Sequence, residues 1–190
     1  MRHLMLLRHA KTEKDSPSGN DRDRRLNARG REDAPALGRY IAAQDLVPQL
    51  VLVSPATRAR QTWELVAEEL QSAPPHEVVH DLYGADARQL LHIARAATQL
   101  APRVSAGRLM IVGHNPGLHE FALALARTSD AKSSDRSSAK AQRALTDNLP
   151  TSGLAVIVFS MTDWADLSFG RGRLERLVSP ALLREDTKES

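Results

Sequence analysis

Two histidines in this chain of 190 residues stand directly behind short apolar runs. His9 follows Leu4 to Leu7 and Arg8, and His114 follows Leu109 to Val112 and Gly113. A third run, Val51 to Val53, leads to Ser54 with Arg58 four residues on, and Asp81 comes just after a fourth near Glu77 to Val79. A neutral imidazole can attack phosphorus, arginine forks can hold the non-bridging oxygens, and a second imidazole can donate where negative charge builds. His9, His114, Arg8, Arg58 and the carboxylate of Asp81 are thus an inventory for binding and transferring a phosphoryl group. It requires no metal and no cofactor.

These side chains meet only if the runs before them are parallel strands of one sheet, because open parallel sheets bind ligands at the carboxyl ends of their strands. The rest of the sequence predicts that arrangement. His3 to Leu7 reads as a buried strand, and Lys11 to Arg25 as a polar loop. Asn27 caps a helix running to about Gln44, with Pro35 inside it as a kink or a delayed start. Ser54-Pro55 opens a second helix, on which Ala56, Ala59, Trp63, Val66, Ala67 and Leu70 recur at helical spacing. A helix from about Asp86 to Leu100 and one opened by Pro116 follow the next two strands. Gly153 to Met161 and Leu174 to Val178 form a strand pair joined by a polar turn containing Trp164 and Gly170. Strand, loop and helix recurring in this order predict an α/β fold, a three-layer α/β/α sandwich whose mostly parallel sheet carries helices on both faces.

Length and composition predict one domain spanning residues 1–190, interrupted at about 128–148 by an exposed polar insertion. The last residues, Arg184 to Ser190, read as frayed. With no cysteine, disulfides, thiolate metal sites and a cysteine nucleophile are excluded, and a reducing cytoplasmic setting is expected. The apolar run at the start is too short for a signal peptide, and no later stretch is long enough to span a bilayer, so no membrane partner is expected. A net charge of +3 and 4% aromatic residues argue against a nucleic-acid partner. Most of the basic residues are arginine, whose planar fork suits oxyanions such as phosphate.

Three segments resemble known motifs. Leu7-Arg8-His9-Ala10-Lys11 is similar to the Arg-His-Gly motif of the histidine phosphatase superfamily, which includes the cofactor-dependent phosphoglycerate mutases. Ser54 to Thr62 resembles that family's second arginine motif, and Val112-Gly113-His114-Asn115-Pro116 its second histidine motif. Within the superfamily, Arg24-Arg25-Leu26-Asn27 with Gly30, and Leu149 to Gly153, resemble the SixA branch of protein phosphohistidine phosphatases. The resemblance implies a phosphoglycerate mutase-like fold with His9 as the phosphorylated nucleophile. It implies a phosphate pocket of Arg8, Arg58 and His114, and a loop arginine, Arg24, that reaches the phosphate. Ala10 replaces the motif glycine. Asp81 falls where the superfamily places its proton donor, with Glu77 and Asp86 as neighbouring carboxylates.

The remaining candidates read as structural. Arg60 lies two residues from Arg58 and so on another helix face. His114 and His119, five apart, do not share a helix face as a zinc pair would, and His3, His76, His80 and His92 read as ordinary partly exposed residues. No glycine-rich nucleotide loop follows any strand, which argues against ATP and NAD. The leading expectation is an enzyme that removes phosphate from a phosphohistidine on a protein, a phosphocarrier or histidine phosphotransfer domain. Against it stand a phosphatase of small phosphate esters and a phosphoryl-binding module of weak or lost turnover.

Overall fold

The computed structural model describes residues 1–100, 106–126 and 136–186. Its strands are β1 (Arg2–Arg8), β2 (Leu50–Val53), β3 (His76–Val78), β4 (Arg108–Gly113), β5 (Leu154–Phe159) and β6 (Arg173–Val178). Its helices are α1 (Ala28–Ala43), α2 (Thr57–Glu68), α3 (Ala87–Arg95), α4 (Ala97–Leu100), α5 (Gly117–Leu125), α6 (Arg136–Asp147) and α7 (Pro180–Asp186). The strands form one sheet in the order β3-β2-β4-β1-β5-β6. β1, β2, β3 and β4 pair in parallel, while β5 runs antiparallel to β1 and to β6.

Alternation along β1 splits the core into two layers. Leu4 and Leu6 face one side, packed with residues of α3, α5 and α6. Met5 and Leu7 face the other, against α1 and α2. All four are fully buried, as expected of a strand covered on both faces by helices. The molecule is therefore the α/β three-layer sandwich that the recurring strand-helix pattern predicts.

Register carries the chemistry to one edge. Arg8 lies opposite Gly113, and Val53 lies opposite Val112, so β1, β2 and β4 finish level. The His9 amide donates to the Gly113 carbonyl at 3.2 Å, and the Ser54 amide to the Val112 carbonyl at 3.0 Å. His9, Ser54 and His114 consequently emerge side by side. The polar loop after His9 returns to the sheet because α1 starts against it. A Cβ on Gly30 would meet the Lys11 carbonyl oxygen at 2.1 Å, so only glycine permits this approach.

Several elements differ from the sequence reading. Pro35 lies inside α1, which begins at Ala28 behind its Asn27 cap, so the proline does not delay the start. The helix expected from Asp86 to Leu100 is interrupted at Ala96 between α3 and α4. Trp164, assigned to a polar turn, is fully buried and donates its indole N–H to the Ala106 carbonyl. Of the polar segment expected at about 128–148, residues 127–135 lie outside the described residues, but Arg136–Asp147 is a helix rather than an exposed loop. Leu145 is fully buried on it and Ala141 packs against the same core, in a helix whose remaining positions are Arg, Ser, Ala, Lys, Gln, Thr and Asp.

Candidate active site

At the carboxyl ends of β1, β2 and β4 lies a cleft of about 1150 Å³ lined by Arg8, His9, Arg24, Arg58 and His114, among others. The structure thus brings together five of the six residues singled out by sequence. Asp81 does not join them: it is exposed, in a short 3₁₀ turn at His80–Leu82, and is not among the residues lining the cleft.

The nucleophile candidate is held at both ends of its peptide. The His9 carbonyl accepts from the Ser152 amide at 3.2 Å, and the next amide, that of Ala10, donates to Thr62 Oγ1 at 2.9 Å. Thr62 in turn donates to the Arg58 carbonyl at 2.6 Å, tying the loop to α2. Ser152 adopts a φ of 56°, a left-handed conformation that costs energy in a residue with a side chain. Its amide is the group that this turn aims at His9.

His9 Nδ1 lies 2.8 Å from the Ala10 carbonyl oxygen. A carbonyl can only accept, so Nδ1 carries the proton and Nε2 keeps its lone pair. Burial lowers the His9 pKa to about 4, assisted by the positive charges of Arg58, Arg8 and Arg24. Burial also takes His114 to about 3, with the neighbouring His9 and Arg58 adding to the effect. Both rings are neutral near pH 7, as a nucleophile and a neutral donor must be. Their centroids are 5.2 Å apart, and His114 Nε2 lies 2.7 Å from Ser54 Oγ.

The arginines are fixed by acceptors outside the cleft centre. Arg8 Nη1 donates to the Leu149 carbonyl at 2.9 Å, while its Nε is buried without a partner. An orphaned donor of this kind costs free energy until an acceptor arrives, which suits a site waiting for an oxyanion. Arg24 donates to the Glu13 carbonyl, to Asp21 and to Thr12 Oγ1. Arg58 is bound by both the carboxylate and the carbonyl of Asp21. Among the described residues no group of three or more His, Asp or Glu is placed to hold a metal ion. The cations lining the cleft are Arg8, Arg24, Arg25, Arg58, Lys11 and Lys14.

Comparison with known proteins agrees with this geometry. The sequence model of the histidine phosphatase superfamily, branch 1, matches residues 4–89. An uncharacterized protein of Mycobacterium tuberculosis is 32% identical over 166 residues, covering 86% of this chain and 93% of its own length. The chain belongs to the histidine phosphatase superfamily. An uncharacterized chloroplastic protein of Arabidopsis thaliana is 31% identical over 134 residues, which span 67% of this chain but only 61% of the plant protein. Among solved structures, a protein described as the phosphohistidine phosphatase SixA of Agrobacterium tumefaciens superposes with a TM-score of 0.70 at 26% identity, covering 94% of this chain and 98% of that one. A protein histidine phosphatase SixA complexed with tungstate superposes with a TM-score of 0.70 at 21% identity over 95% and 99% of the two chains. The fold and the SixA-type motifs of this histidine phosphatase therefore agree. No helix among the described residues is long and apolar enough to cross a membrane.

Sequence reading missed Asp21, which lines the histidine phosphatase cleft, and Tyr83, which packs against residues that line it. Asp21 was one polar residue in a polar loop, and Tyr83 one aromatic beyond the Asp81 turn. Tyr83 packs edge-on against His114 at 5.5 Å, lies under the Arg58 guanidinium at 5.9 Å, and donates its hydroxyl to Asp21 at 2.9 Å. The aromatic two residues after the expected carboxylate was the available signal.

The depressed histidine pKa values set a pH dependence. An NMR titration of the His9 imidazole should show a neutral ring down to a midpoint near 4, and a midpoint near the ordinary 6.5 would contradict the buried, arginine-flanked environment. The sign for stability follows by linkage. Below 6.5 the unfolded chain takes up protons that the folded chain still refuses, so stability present above 6.5 is lost as the pH falls toward about 4. Melting temperatures measured across that window should decline on acidification.

Proposed function

We propose that this histidine phosphatase removes the phosphoryl group from phosphohistidine on a protein, using His9 as a covalent nucleophile. The observation that carries the mechanism is the His9 tautomer: Nδ1–H is held by the Ala10 carbonyl, which leaves the Nε2 lone pair in a cleft of arginines. In the first step Nε2 attacks phosphorus, a new P–N bond forms, the P–N bond to the substrate imidazole breaks, and that imidazole takes a proton from solvent in the open cleft, one that the water of the second step returns. Arg8, Arg58 and His114 hold the phosphoryl oxygens as charge builds. Water then attacks phosphorus, the bond to His9 breaks, and orthophosphate leaves.

Leaving-group chemistry favours phosphohistidine over alkyl phosphates. An alkoxide is strongly basic and needs a well-placed acid, whereas imidazole leaves readily with much less help. Asp81, the expected donor, is off the cleft, and Asp21, which does line it, is held well below the usual carboxylate range by hydrogen bonds from Arg24 and Tyr83 and by Arg58. That is the wrong direction for a proton donor. The breadth of the cleft, about 1150 Å³, also suits a phosphorylated side chain presented by a protein surface. The tungstate complex of a neighbour of the same fold supports an oxyanion as the group bound.

Side-by-side kinetics test the substrate class. The value of kcat/KM on a phosphohistidine protein or a phosphoramidate should exceed that on serine phosphate or 3-phosphoglycerate by at least about tenfold. Asp81→Asn should leave both phosphoramidate and ester hydrolysis within about twofold, because its carboxylate lies off the cleft. A preference for a small ester would assign a metabolite phosphatase, and a large selective loss of ester hydrolysis in Asp81→Asn would return that carboxylate to the site as an acid.

A further inference from the structure

Asp21 joins three segments of the site. Its Oδ2 accepts from Arg58 Nη2 and from the Tyr83 hydroxyl, each at 2.9 Å, and its Oδ1 accepts from Arg24 Nη1 at 3.0 Å. Its backbone carbonyl accepts from Arg58 Nη1 at 2.6 Å. Guanidinium has five N–H donors, and Asp21 takes one from each terminal nitrogen of Arg58. The other N–H groups of Arg58 are left for the Tyr83 hydroxyl beside it and for a ligand.

The two-point grip defines the plane of the guanidinium. The Arg58 side chain is 8% exposed and that of Asp21 is 52% exposed, so the carboxylate meets a buried cation from its solvent side. The same carboxylate holds the Tyr83 hydroxyl, and the Tyr83 ring lies against both Arg58 and His114. One residue thereby fixes two of the groups expected to meet the phosphoryl oxygens.

The geometry points to Asp21 as a positioning residue of the phosphoryl pocket, one that orients Arg58 directly and His114 through Tyr83, and so raises the affinity of the site for an oxyanion without touching it. This rests on the reading of the cleft as a phosphoryl site and is independent of which phosphorylated substrate fills it. Its consequence runs against simple Coulombic expectation. Removing a negative charge beside an anion site should tighten anion binding, whereas loss of a positioning contact should weaken it.

Tungstate titration by calorimetry decides between the two, using the full chain, Asp21→Asn, Asp21→Ala, Arg58→Lys and the Asp21→Ala, Arg58→Lys double variant, with melting temperatures measured in parallel. Asp21→Ala should weaken tungstate at least about tenfold, and the near-isosteric Asp21→Asn, which keeps one acceptor, by a smaller factor. In the Arg58→Lys background the aspartate substitution should have a clearly smaller effect than in the parent, because the fork it positions directly is gone and only the route through Tyr83 to His114 is left. Tighter or unchanged tungstate binding in Asp21→Asn would overturn the proposal and make Asp21 a competitor or a bystander. Additive losses in the double variant would overturn it as well, by showing that Asp21 acts apart from Arg58. Failure of the unsubstituted protein to bind tungstate would remove the phosphoryl pocket itself, and this inference with it. Should Asp21→Ala fold poorly, the sign of the effect in Asp21→Asn alone carries the decision.

Discussion

His9→Ala is expected to lower turnover at least about a thousandfold on any substrate the protein accepts. The imidazole has no stand-in. His114, the other ring in the cleft, has its Nε2 engaged by Ser54 Oγ, and its part in the proposed reaction is to donate to the phosphoryl group rather than to attack it. The fold should tolerate the change, since the contacts that hold the turn in place run through the backbone of His9 and Ala10 rather than through the ring. Steady-state kinetics of the purified variant, with a melting curve to establish folding, check this. A folded His9→Ala protein with rates near those of the parent would remove His9 from the chemistry.

Arg58→Lys carries the second large effect, a loss in kcat/KM on the order of a hundredfold or more. The charge survives in this variant but the fork does not. Arg58 uses Nη1 and Nη2 to hold Asp21 and still has donors for a phosphoryl group, whereas one ammonium on a flexible stem must choose between them. Kinetics on a phosphoramidate measure the loss, and near-parental rates would mean that the pocket lies elsewhere in the cleft.

The strand ends were legible in sequence because buried parallel strands read as short apolar runs and the residue after each run is the one that meets a ligand. Arg8, His9, Arg58 and His114 were found by that logic together with motif resemblance, and all of them line one cleft. Asp81 satisfied the same positional rule and does not line it. β3 is an exposed three-residue strand at the sheet edge, so the residue that follows its end is under weaker constraint than those after β1 and β4. Asp21 was illegible for a different reason. Its value lies in contacts 37 and 62 residues away in sequence, to Arg58 and Tyr83, and no local periodicity encodes a carboxylate's distant partners. The helix Arg136–Asp147 was hidden by composition, because Leu145 is a single large apolar residue in a run of polar and small ones.

The covalent intermediate is the central claim, and rapid-quench labelling tests it most directly. Brief mixing with a radiolabelled phosphoramidate or phosphohistidine protein should give a phosphoenzyme that is acid-labile and base-stable, with the label on the peptide containing His9 and absent from His9→Ala. Label on a different residue, or full turnover with no labelled enzyme at any quench time, would contradict the account.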